Sequence, residues 1–342
     1  MNTGNVIVIP PYYSGTSFED IVMSLVVAVK KSGLDIKFFG NPTPIKNSVV
    51  SDHVLDDGRY IDGQLNVLRD LIQAKHGLKK ILFLDFFNPG LDLFKYSLVQ
   101  TGHEIEFASL LHGGSFVPGD LYSYDWIKGF ENGWFSVNDG IYVPSAYAKS
   151  VCPPPYRNKV KVFVWGMDGM RFIESKEKKW DVIFPHRLQA DKGVERFISI
   201  IRSLPDVTFL VTSPLTRGDV STNVYYGRLS RFPNVKFRYD IVDEDFLGYL
   251  SKSTVVLSCS IQETFGYSVM KSIACGCYPI LPDGACYPEF FDKKYLYGTT
   301  RKAAALIRNI LSDRKSNHHE LVALRKKIRK FSFLPLIKDY FG

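Results

Sequence analysis

Short apolar runs rich in β-branched residues alternate with helix-period segments along the chain, and this alternation limits the fold more than any other feature. In the first half, Val6–Ile9, Ile36–Phe39, Lys80–Phe87, Glu104–Leu111, Asp139–Val143 and Lys159–Trp165 read as strands. Between them, Ser17–Lys31, Asp62–Lys75, Leu91–Val99 and Trp126–Trp134 read as helices, and Pro144-Ser145 opens a shorter one. Cys152-Pro153-Pro154-Pro155-Tyr156 is expected to interrupt all regular structure, and Gly166-Met167-Asp168-Gly169 to be a hinge. The pattern restarts at Trp180 and continues through a helix Val194–Ser203, strands Val207–Thr212, Val235–Arg238 and Thr254–Leu257, a helix Asp243–Lys252 and an amphipathic helix Thr300–Ser312. Alternating strand and helix predicts α/β architecture, with parallel sheets covered on both faces. At 342 residues and 45% apolar content, two such domains are expected.

In sheets of this kind ligands bind beyond the carboxyl ends of the strands. Three places there carry chemistry. After Thr254–Leu257 comes the polar turn Glu263-Thr264-Phe265-Gly266, then a helix with Val269, Met270, Ile273 and Ala274 on one stripe, ending at Gly276. The free N–H groups of that helix start suit a phosphate or a polar sugar, and the Glu263 carboxylate can accept hydrogen bonds from sugar hydroxyls. Arg187 at a strand end and Lys192 at a helix start set two cations where a diphosphate could sit, although a surface ion pair with Asp191 would read the same way. His112 follows Glu104–Leu111 and leads into Gly113-Gly114-Ser115-Phe116; an imidazole there can bond a sugar hydroxyl or an acceptor, or cap its own loop.

The run E-T-F-G-Y-S-V-M-K-S-I-A-C-G-C-Y-P-I-L-P, the later Tyr287-Pro288-Glu289 and the P-H-R…D-K-G segment at 185–193 together resemble retaining glycosyltransferases of family 4, nearest the tRNA-queuosine mannosyltransferase branch. The resemblance is sharp over about 180–342 and looser over 1–165. It implies the GT-B fold: two Rossmann-like α/β/α domains facing a central cleft. The boundaries it suggests are an acceptor-side domain 1–165, a nucleotide-sugar domain 166–330, and a last segment 331–342 that packs back on the first domain. It implies a sugar moved from a UDP- or GDP-linked donor to a hydroxyl with retention, without metal or further cofactor. Arg187 and Lys192 would hold the leaving diphosphate, Glu263, Thr264, Phe265 and Gly266 the sugar, and His112 would orient sugar or acceptor. Gly15 and Thr16 of the first loop would touch the donor, and Ser14, Gly113, Gly114, Ser115 and Phe116 the acceptor. Lys271 stands where the family has a second Glu for the ribose; lysine accepts no hydrogen bond, so it would meet a phosphate or pair with an acid.

Charge bears on the acceptor. Residues 1–165 hold 15 Lys/Arg against 16 Asp/Glu, residues 166–342 hold 28 against 19, and 301–342 alone hold 11 against 3, centred on Arg325-Lys326-Lys327-Ile328-Arg329-Lys330. Such a face suits nucleic acid, DNA or tRNA with a modified base on which Phe116, Tyr122 or Trp126 could stack, an anionic nucleotide or a membrane surface, or it is a solvated helix exterior. A small-molecule, lipid or glycan acceptor, and a catalytically inert GT-B protein that binds nucleic acid or nucleotide, are the other readings. No apolar run reaches the length of a membrane span, which with the polar N-terminus gives a cytoplasmic expectation. Cys152, Cys259, Cys275, Cys277 and Cys286 lack zinc spacing and read as buried thiols.

Overall fold

The computed structural model describes residues 4–12, 17–40, 58–117, 125–213, 220–239, 243–313 and 316–342. The described residues form two compact units, one built on those up to Asp168 together with Ser332–Gly342, the other on those from Gly169 to Phe331.

The first unit is a six-stranded sheet of β1 (Asn5–Ile9), β2 (Lys37–Gly40), β3 (Lys80–Phe83), β4 (Glu106–Leu110), β5 (Gly140–Val143) and β6 (Val160–Val162) in the order β2-β1-β3-β4-β5-β6. Every pairing is parallel. Val6, Ile7, Val8 and Ile9 are all buried, as a strand covered on both faces requires. Phe83 and Phe107 from neighbouring strands meet edge to face, with Phe94 stacked on Phe107. The C-terminal helix Leu334–Phe341 belongs to this unit: Tyr340 donates to the carbonyls of Ile81 and Glu106, and Asp168 accepts from Ser332 and from the Phe333 N–H.

The second unit repeats the plan with β7 (Trp180–Phe184), β8 (Phe209–Thr212), β9 (Val235–Arg238), β10 (Ser253–Leu257), β11 (Tyr278–Pro282) and β12 (Leu296–Tyr297), in the order β12-β11-β10-β7-β8-β9, again all parallel. Helix Val194–Arg202 buries Val194, Phe197, Ile198, Ile200 and Ile201 and leaves Glu195 and Arg196 outside. Phe197 stacks on Phe184 of β7 at 4.2 Å between ring centres. The two sheets make the chain a GT-B fold of paired Rossmann-like domains.

Several elements differ from the sequence reading. The strand expected over 80–87 ends at Phe83, and the one over 159–165 covers only Val160–Val162. The proline stretch after Cys152 does not abolish regular structure: Pro154–Lys159 forms a 3-10 helix, because proline in a first turn lacks only an N–H that has no partner there anyway. The helix after Gly266, expected to bury one stripe, is Tyr267–Ala274 and is buried nearly all round, between helices Asp243–Ser251 and Ser316–Ile328.

Candidate active site

In the second unit β7 lies between β8 and β10, so the chain leaves β7 toward β8 on one side while β10 sits on the other. The chain runs on from β7 toward β8 and from β10 toward β11, in opposite directions along the sheet, and such a switch point is where sheets of this kind open a crevice. Arg187 and Lys192 follow β7, and Glu263 follows β10. The topology alone thus brings together residues more than seventy positions apart.

The side chains meet. Lys192 Nζ is 3.5 Å from Glu263 Oε2 and 3.2 Å from Asp191 Oδ2, and Arg187 Nη2 is 3.8 Å from the same Asp191 oxygen. Burial falls from the centre outward: the side chain of Asp191 is 2% exposed, Lys192 13%, Glu263 17% and Arg187 38%. Burial opposes the Lys192 charge, but Glu263 and Asp191 together outweigh it, and the ammonium is held above its ordinary pKa. The Lys192 ammonium is therefore charged at neutral pH. Asp191 is not the surface partner that the sequence allowed; it lies inside the loop, and its second oxygen, Oδ1, has no hydrogen-bond partner.

Two backbone devices fix this arrangement. Gly193 adopts φ +66, and a Cβ there would stand 2.0 Å from the Cys259 carbonyl oxygen, so only glycine lets the β7 loop press against the β10 loop. The Ile261 N–H donates to the Asp191 carbonyl at 2.8 Å and ties the same two loops. Gly266, at φ 82, turns the chain into helix Tyr267–Ala274 beside Tyr287, whose hydroxyl donates to Ser258. Phe265 is a core residue, ringed by Tyr267, Phe290 and Phe331, so only its backbone can serve a ligand. Lys271 is 5% exposed, its Nζ 5.7 Å from the centre of the Phe246 ring, which places it inside the helix packing. A cavity of about 290 Å³ opens next to Ser260 and Ile261, between Arg196, Asp283 and Tyr297, but none of Arg187, Lys192 and Glu263 lines it.

His186 precedes Arg187 and is 5% exposed, with no partner for Nε2. Burial, then Lys192 and Arg187, pushes its pKa down to about 3. The folded protein therefore holds the ring neutral, whereas an unfolded chain takes up a proton near pH 6.5. Stability from this source is complete above pH 6.5 and is lost as pH falls, by up to about 1.4 kcal/mol per unit, until the folded ring itself titrates. We expect urea denaturation at pH 7, 6, 5 and 4.5 to show this slope, and His186→Gln to flatten it; an unchanged slope in the variant would mean that other groups set the acid limit.

In the first unit, His112 lies just beyond β4, and its Nε2 donates to the carbonyl of Leu84, the residue after β3, 2.8 Å away. The ring lies against Phe18 and Trp165. Burial lowers its pKa, against the opposing effects of Asp85 and the Leu84 carbonyl, so the imidazole is neutral with Nδ1 as its acceptor nitrogen. Gly113 and Gly114 are half-buried beyond it. Ser115 is buried, with its N–H and hydroxyl both donated to Glu131, which uses up its donors internally. Phe116 packs on Phe135. Ser14, Gly15, Thr16 and Tyr122 lie outside the described residues.

The basic run at 325–330 is partly committed to the fold. Arg325 bonds Glu174 and the Ala274 carbonyl, Lys327 the Phe290 carbonyl, and Arg329 stacks over Phe172. Lys326 and Lys330 point outward. All five cysteines are buried free thiols. Among the described residues there is no group of three or more His, Cys, Asp or Glu placed to hold a metal ion, and no helix long and apolar enough to cross a membrane.

A family model described as glycosyl transferases group 1 matches residues 168–330, the span that carries Arg187, Lys192 and Glu263. Over 134 residues the chain is 29% identical to tRNA-queuosine alpha-mannosyltransferase of Drosophila melanogaster, covering 36% of this chain and 34% of that protein, so about a third of the relative's length is matched. Sucrose-phosphate synthase from Thermosynechococcus elongatus superposes with a TM-score of 0.73 at 14% identity, covering 98% of this chain and 97% of that one. A glycosyltransferase from Rickettsia africae gives 0.68 at 14% identity, covering 100% and 98%.

Proposed function

We propose that this chain, whose residues 168–330 match a model of group 1 glycosyl transferases, transfers a sugar from a nucleotide-sugar donor to a hydroxyl, with retention of configuration at the anomeric carbon. The observation that carries the reading is the convergence of Lys192 on Glu263, with Arg187 one carboxylate away. The diphosphate lies against Arg187 and Lys192; the sugar lies toward Glu263 and the backbone N–H groups of Phe265 and Gly266. As the bond from the anomeric carbon to phosphate oxygen breaks, negative charge grows on the leaving diphosphate, and two fixed cations stabilise that charge more than they stabilise the intact donor. The acceptor oxygen bonds to the anomeric carbon, and its proton passes to the departing phosphate. The two side-chain cations supply positive charge of the kind a divalent metal would bring, so turnover is expected to survive EDTA. His112, through Nδ1, accepts a hydrogen bond from a hydroxyl of sugar or acceptor.

For the acceptor we infer a hydroxyl on a modified base in nucleic acid. The name of the Drosophila relative supports this, as do the outward Lys326 and Lys330 of a strongly basic C-terminal region. Mass spectrometry of tRNA and DNA nucleosides from cells with and without the protein tests it, and identical profiles would remove the nucleic-acid acceptor. The transferase reading itself is tested on the purified chain with UDP- and GDP-sugars, scoring donor hydrolysis or transfer. Glu263→Gln keeps the shape but not the charge, and is expected to lower kcat by about a hundredfold. Binding of nucleotide without turnover of any donor would favour an inert GT-B binding protein instead.

A further inference from the structure

Four charges meet at the end of β7 and β10, and they cancel: Arg187 and Lys192 against Asp191 and Glu263. Glu263 has a role in reading the sugar, but Asp191 has none in the chemistry described above. Its carboxylate is nonetheless the most buried of the four, and it contacts both cations that the diphosphate needs. One of its oxygens lacks any hydrogen-bond partner, an unfavourable state for a buried carboxylate unless its charge is itself of use.

We propose that Asp191 is a fixed counter-anion that keeps the two cations paired in the empty site and limits how tightly the diphosphate product is held. This rests on the reading of Arg187 and Lys192 as the diphosphate site. The carboxylate cannot swing away when donor arrives: it is enclosed, and its own backbone carbonyl is fastened by the Ile261 N–H. Its negative charge therefore stays beside the cations in the loaded site and opposes the phosphate charge. With Asp191 the protein side of the site is neutral; without it the site carries one net positive charge. Tight binding of the leaving group would slow turnover once release limits the rate, so a resident anion trades affinity for release.

Asp191→Asn isolates that charge, because the amide keeps the side-chain shape and the main-chain bond from Ile261 is untouched. Pyrophosphate, UDP and GDP are titrated by calorimetry into wild type, Asp191→Asn and Asp191→Ser, with thermal melts to confirm that each variant is folded. The expected result is about tenfold tighter binding of pyrophosphate and of the cognate nucleoside diphosphate in both neutral variants, with a steeper loss of affinity on raising salt. In turnover, KM for the donor and kcat should fall together. Asp191→Glu, which restores the charge, should return affinity toward wild type. Weaker or unchanged diphosphate binding in folded neutral variants would overturn the assignment, since a part confined to holding the loop predicts loss. Absence of binding to wild type and variants alike would overturn the diphosphate reading, and this inference with it.

Discussion

Lys192→Met is expected to lower kcat/KM for the donor by on the order of a thousandfold and to reduce nucleoside diphosphate binding in parallel. Methionine matches the length of the lysine stem but brings no charge to the proposed diphosphate site. The same change should also destabilise the fold. Lys192 is what stands between Asp191 and Glu263, and without it two carboxylates, 2% and 17% exposed, lose their shared cation. Breaking a buried pair in this way costs about 3–5 kcal/mol. The two effects separate in a double variant. Asp191→Asn together with Lys192→Met removes one of the stranded charges and should regain much of the stability, seen as a recovered melting temperature, while activity stays lost. A double variant that regained activity along with stability would show that Lys192 acts only as a structural ion pair.

The legible part of this molecule is the part that depends on local pattern. Val6–Ile9 and Thr254–Leu257 read as buried strands because parallel strands covered on both faces are apolar without alternation. The turn Glu263-Thr264-Phe265-Gly266 read as a turn because glycine enters the left-handed region without strain, and Gly266 does so. Residues governed by long-range packing were illegible. Helix Val220–Leu229 carries two Val, Thr, Asn, two Tyr and Gly, poor helix formers, and buries Thr222 and Leu229 while Tyr226 packs on Phe237 and Tyr239. Lys271 and Ser272 would sit on the wet side of an amphipathic helix, yet both are buried because a second helix layer covers them. Asp191 beside Lys192 looks in sequence like any surface ion pair, and nothing local to it shows that β10 closes over it. The basic run at 325–330 counts as charge in the sequence but in space partly serves as ties to Glu174, Ala274 and Phe290.

Gly193 links the sequence pattern to the site. Alanine at this position would have to hold φ near +66, a conformation that costs an L-residue about 1–2 kcal/mol, and would also drive its Cβ to within 2.0 Å of the Cys259 carbonyl oxygen. Relief requires the β7 loop and the β10 loop to part, and those loops carry Arg187 and Lys192 on one side and Glu263 on the other. Parting them stretches the bond from the Ile261 N–H to the Asp191 carbonyl and moves the cations from Glu263. Gly193→Ala is therefore expected to lose about 3 kcal/mol of stability in urea denaturation, and kcat/KM by at least a hundredfold in the fraction that stays folded. The comparison is Gly227→Ala in helix Val220–Leu229, where an added Cβ meets nothing within 4 Å and φ is ordinary. That change should be neutral or stabilise by up to about 1 kcal/mol, since alanine is the better helix former. If Gly193→Ala melted like Gly227→Ala and bound diphosphate like wild type, the close approach of the two loops would not be what holds Lys192 against Glu263.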